Sequence, residues 1–160
     1  MAQDQLFVQM ALLAWETNIS RADSMIGHFS DEQLMKEIAP GKNRGIYLLG
    51  HLVAVHDAMC DILELGERHY PFLTNIFLSS PDRSGLEMPT VSKLREYWTE
   101  TNQRLAGHFN RLSPDEWLEK HHNISAEDFL KEPHRNKLAV LINRTGHLAY
   151  HTGQLVLLKK

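Results

Sequence analysis

GERHYPFLTNIFLSSPDRSGLEMP, residues 66–89, is the stretch on which the fold turns. Gly66, Pro71, Pro81, Gly85 and Pro89 keep any long helix out of it, yet its interior YPFLTNIFL is strongly apolar. Connections this long are uncommon in compact domains unless they have a geometric or a functional task. One such task is a crossover that lets the helices on either side run parallel.

Working outward, the segment before it, about Arg44 to Leu65, has helical spacing and is closed by Gly66. Pro40-Gly41 separates it from an earlier helix, about Gln3 to Gly27, with Leu6, Met10, Leu13 and Thr17 on one stripe. Between these two, Ser30-Asp31-Glu32-Gln33 is an S-x-x-Q capping box that starts a short extra turn. The segment after the connection, about Thr90 to Leu112, places Leu94, Trp98, Leu105 and Leu112 on its stripe. A link of about 20 residues follows, with capping signals at Ser113-Pro114-Asp115-Glu116 and Ser125-Ala126-Glu127-Asp128. The last helix runs from about His134 to the end. No strand alternation and no repeat occurs. Four amphipathic helices of about five to seven turns predict an all-α four-helix bundle, one domain over residues 1–160.

The hydrophobic fraction of 42% and charged fraction of 23% are those of a globular chain. A net charge of −3 supplies no basic field, so nucleic acid is not an expected partner. The opening MAQDQLFVQM does not read as a secretory signal, and no apolar run approaches the ~20 residues that span a bilayer, so no membrane partner is expected either. Cys60 is the single cysteine; it excludes an intrachain disulfide and fits a reducing cytoplasm. Histidine is the anomaly, with ten residues.

On the last helix, at ~100° per residue, Val140, Asn143, Arg144, His147, Tyr150, His151, Gln154 and Leu158 share one face. His147 and His151 are successive turns of it, the spacing by which H-x-x-x-H binds a metal from one helix. His51 lies mid-stripe on the second helix, among Arg44, Tyr47, Leu48, Val55, Ala58, Ile62 and Leu65. A buried histidine needs partners for both ring nitrogens, and that stripe offers no Ser, Asp or Glu. Convergence of the three histidines on a metal would answer this jointly, as bundle cores do. Hydrogen bonds to backbone carbonyls or water are the competing answer.

His56 lies ~140° from His51 and reads as a surface or interface residue, and Cys60 points ~180° away. His121, His122 and His134 fall in charged loops and read as solvated; His28, His69 and His108 have no spaced partner. Leu148 and Ala149 follow His147, so the glutamate of an H-E-x-x-H zinc protease is missing. No nucleophile-elbow, phosphate-loop or dinucleotide motif occurs. Gly146 and Gly153 share a stripe with Ile142 and Ala149, which predicts a close backbone approach by a bundle neighbour or a second subunit.

Leu48-Leu49-Gly50-His51, together with His147-x-x-x-His151-x-Gly153-Gln154, resembles the DinB-like family of small bacterial proteins. The approach APGKNRGIYLLGHL and the segment LSPDEW are similar in style, so the resemblance covers the whole chain. It implies an up-down-down-up bundle, with residues 66–89 as the crossover between helices two and three. It also implies a divalent-metal site on His51, His147 and His151, and a homodimer. Zinc or nickel comes ahead of iron or copper for three imidazoles. The resemblance further implies an enzyme that uses a low-molecular-weight thiol (bacillithiol, mycothiol or glutathione) for transfer or isomerisation of a small molecule. Three histidines leave a coordination position open, where a thiol is deprotonated. The same position could instead serve a hydrolase, through water, and a bundle that binds metal or ligand without catalysis is the third reading. Arg144 is the candidate to hold an anionic group, Asn143 and Tyr150 to orient a substrate, and Gln154 to hold a ligand ring from behind.

Overall fold

The computed structural model describes residues 3–159 and is all-helical, with two isolated β-bridges and no strand among the described residues. Four long helices form the frame: α1 (Gln3–His28), α3 (Gly45–Ile62), α5 (Val91–Phe109) and α8 (Lys137–Leu155). Four short ones lie in the connections: α2 (Asp31–Leu34), α4 (Leu73–Phe77), α6 (Pro114–Trp117) and α7 (Ala126–Lys131). A 3-10 turn, Val156–Lys159, ends the described chain. α1 packs chiefly on α8, and α3 lies against both α5 and α8 around one apolar core.

Local chemistry accounts for the boundaries. Ser30 and Gln33 form the reciprocal capping box of α2, and Ser113 and Glu116 form that of α6. Thr90 and Asn136 cap α5 and α8 by accepting from Lys93 N–H and Ala139 N–H. The end of α3 differs from the expectation that Gly66 closes it. The helix stops at Ile62, and Glu64 adopts the left-handed φ of 58°. Leu65 N–H donates to Cys60 C=O at 2.8 Å and Glu64 N–H to Asp61 C=O at 3.2 Å, a Schellman closure without glycine.

α5 keeps a regular stripe, burying Val91, Leu94, Trp98, Thr101, Leu105 and Phe109. In contrast, α3 is buried almost all round from Gly45 to Cys60, because it lies at the centre of the core. α1 reverses the sequence reading: Val8, Trp15, Ala22 and Ile26 are the buried face. Leu6, Met10 and Leu13, with Phe7 beside them, are 48–64% exposed. The helix is apolar on two faces, and spacing alone cannot say which one the core takes.

The 66–89 connection is held down on α3 at three places. Buried Asp57 accepts from Arg68 Nε (3.1 Å), His69 N–H (2.9 Å) and Tyr70 N–H (3.1 Å), and Arg104 of α5 reaches the same carboxylate at 3.0 Å. Arg44 pairs with Asp82 at 2.6 Å near the far end. Between them, Leu73 and Phe77 of α4 are fully buried, and the tip of the Phe77 ring lies against Gly50. A methyl at position 50 would overlap the outer carbons of that ring, Cε1, Cζ and Cε2. Gly50→Ala is therefore expected to destabilise the protein by about 1–3 kcal/mol, the usual range for overpacking a filled core. Urea unfolding measures this, and an unchanged midpoint would refute the packing argument.

Candidate metal centre

The site is assembled from α3, α8 and the backbone of the connection. His51 of α3 and His147 and His151 of α8 are half-buried, and one ring nitrogen of each lies within 4.8 Å of the others. The Nε2 of His147 is 3.1 Å from that of His51 and 3.0 Å from that of His151.

The outer nitrogens decide what those inner ones present. His51 Nδ1 is 2.9 Å from the carbonyl oxygen of Phe77, which can only accept, so the proton sits on Nδ1 and Nε2 carries a lone pair. His151 Nδ1 is 2.7 Å from Gln154 Oε1 and is assigned the same tautomer. The Gln154 amide is oriented by its other end, where Nε2 donates to Tyr150 Oη at 3.2 Å. Two lone pairs therefore face His147 Nε2, and a single N–H there can satisfy only one of them. Placing that proton on Nε2 would also leave His147 Nδ1, buried and without a partner, as a bare acceptor. A cation among the three nitrogens relieves the first defect, because all three Nε2 lone pairs can then face it, and the His147 ring proton moves to Nδ1. Tetrahedral zinc with Zn–N of ~2.0–2.1 Å sets neighbouring nitrogens ~3.3 Å apart, close to the spacings found here. The residues fit a divalent ion.

Electrostatics agrees with that donor set. Burial, then His151, His51 and Arg144, lowers the His147 pKa to about 4, so this ring is neutral at physiological pH. Burial also lowers the His151 pKa, against the opposing hydrogen bond that its Nδ1–H donates to Gln154 Oε1. Neutral imidazole is the form that ligates.

The other sequence candidates are placed as follows. Arg144 is half-buried, one turn before His147; its Nε is enclosed without a partner, and burial lowers its pKa. Asn143 is exposed beside it. Tyr150 is 63% exposed and sets its ring edge-on to His151 at 5.1 Å. One expectation is overturned, and another loses one of its two alternatives. His56 is not at the surface: it is fully buried between Trp15 and Trp98, with ring centroids at 4.9 and 5.1 Å, and Nδ1 lies 2.8 Å from Asn102 Oδ1. No bundle neighbour approaches Gly146 or Gly153, since a Cβ at either would meet nothing within 4 Å, which leaves the second-subunit alternative for that stripe. The main element that sequence reasoning missed is the Phe77 carbonyl. It had no side-chain signal, because a backbone oxygen does the orienting.

The family model described as the DinB superfamily matches residues 14–155 of the sequence, nearly its whole length. No curated protein matches it.

Proposed function

This chain belongs to the DinB superfamily, and we propose that it is a divalent-metal-dependent enzyme of the thiol S-transferase type, with the metal on His51, His147 and His151. The observation that carries this reading is the set of three facing Nε2 atoms, with two lone pairs fixed by Phe77 and Gln154. A divalent ion bound there supplies the Lewis acidity that makes a low-molecular-weight thiol nucleophilic near neutral pH. The chain's own residues do the rest. The Phe77 carbonyl and Gln154 hold two rings at fixed angles, as outer partners of metal-binding histidines do. Tyr150, beside His151, and Asn143 orient the substrate, and Arg144 takes an anionic group.

The architecture belongs to the same reading. The four long helices form one up-down-down-up bundle domain, with residues 66–89 as the crossover. Two chains pair through the exposed apolar face of α1 (Leu6, Phe7, Met10, Leu13) and the bare Gly146–Gly153 stripe of α8, a combination that suits a second backbone. Buried, unpaired Cys60 suits a reducing cytoplasm.

The test is thiol consumption by protein loaded with zinc or nickel, given a panel of electrophiles with glutathione and other small thiols. Turnover should require the metal, and His51→Ala should lower kcat/KM at least 100-fold. Full metal occupancy without metal-dependent thiol consumption would overturn the reading; ester or amide hydrolysis without thiol would replace it with the hydrolase.

A further inference from the structure

Between the end of α3, the link before α8 and the first turns of α8 lies a cavity of about 260 Å³. Its walls carry basic side chains, Arg144, Arg135, His121 and His134, with the amides of Asn123 and Asn143, and no carboxylate. Arg144 makes no hydrogen bond and no ion pair among the described residues, and its Nε is enclosed by protein. Arg135 gives one terminal nitrogen to Glu132 at 2.9 Å and keeps the rest of its fork. His121 Nδ1 accepts from Asn123 N–H at 3.2 Å, which leaves Nε2–H as a donor in the neutral ring.

A guanidinium half withdrawn from water without a counter-charge is left short of partners on its enclosed side, and its planar fork matches carboxylate or phosphate oxygens in pairs. Ile62 and Val140 supply an apolar wall that excludes water from such a pair. The volume is below the ~300–1,000 Å³ of pockets that enclose a whole drug-sized ligand. It fits one arm of a molecule. Arg144 precedes His147 by three residues, a rise of ~4.5 Å along α8, so a molecule held here can reach the histidine cluster with its other end.

We propose that this cavity is the oxyanion subsite of the enzyme, taking the carboxylate or phosphate arm of a substrate whose reacting end lies at the three histidines. The substrate class is then a small organic acid or a phosphorylated small molecule. This rests on the metal-enzyme reading above, but the subsite is testable apart from it.

The probes are succinate and inorganic phosphate, titrated into the full-length protein and followed calorimetrically and by NMR of the arginine Nε–H and histidine ring signals. One of them should bind the wild type and shift the Arg144 Nε–H signal, and the tighter one identifies the arm. Arg144→Gln should weaken it at least tenfold, Arg144→Lys should restore less than half of the lost affinity, and His134→Gln at the exposed rim should weaken it two- to fivefold. His147→Ala, which dismantles the cluster, should change it less than twofold. That pattern without any thiol turnover would leave the subsite standing and remove only the transferase reading. No binding of either probe to the wild type, or affinity within twofold of wild type in Arg144→Gln with its metal content unchanged, would overturn the subsite. So would loss of binding in His147→Ala, because the anion would then sit at the metal.

Discussion

Protein carrying His147→Ala is expected to retain less than a tenth of the metal found in the wild type, about one divalent ion per chain, when both are purified without an affinity tag. His147 is the hub, since its Nε2 is the atom within 3.1 Å of both other rings. His51→Ala leaves the adjacent pair on α8 and should retain more metal than His147→Ala at equal free ion. Stability follows from mass action. With free ion at 1,000 times the dissociation constant, binding stabilises the native state by ~4 kcal/mol. For a chain of this length that raises Tm by ~8–16 °C. The metal-free comparison sharpens the test. Removing His147 takes away a buried nitrogen without a partner, and water at this half-buried position can replace its one N–H toward the His51 and His151 lone pairs. In a chelator, the variant should therefore unfold no earlier than the wild type. A role in packing alone predicts the reverse: lower stability with and without chelator, and equal metal by elemental analysis.

How much of this was readable in advance differed from helix to helix. α5 and α8 each have one apolar stripe, so periodicity located the buried residues of α5 and the shared face of His147 and His151. α3 carries apolar residues on every side, and a wheel drawn around it has no solvent face from which to measure. The same wheel turns His51 inward, where it lies, but turns His56 to the surface, where it does not. α1 failed differently. It has two apolar faces, and the stripe that spacing picked out is the one left exposed. The connection could be recognised as purposeful from its length and apolar interior. Its task at the site could not, because Phe77 contributes a carbonyl oxygen and Gly50 contributes only the lack of a side chain.

His56 makes the metal-free protein acid-labile in a way that one substitution should expose. The ring is fully buried between two tryptophans, and Asn102 is committed by its Nδ2, which donates to Trp98 C=O at 2.9 Å. Asn102 Oδ1 therefore accepts from His56 Nδ1–H, and Nε2 is left with no partner to share a proton. Burial above all lowers the folded-state pKa to about 3, against 6.5 for the free side chain. As pH falls below 6.5 the unfolded chain takes up this proton and the folded chain does not, so stability is intact above 6.5 and declines until the pH reaches about 3. At 1.36 kcal/mol per pH unit, the loss is roughly 3 kcal/mol by pH 4.5 and about 5 kcal/mol at completion. His56→Gln keeps a donor for Asn102 and has no proton to gain. Urea unfolding in chelator at pH 7.5 and at pH 4.5 should show the wild type losing roughly 3 kcal/mol more than the variant between the two conditions. His147 and His151, with pKa values also lowered, titrate in both proteins and cancel in the difference. Equal losses in the two proteins would mean that His56 reaches water or a proton-sharing partner in solution, and that the tryptophan enclosure does not hold it neutral.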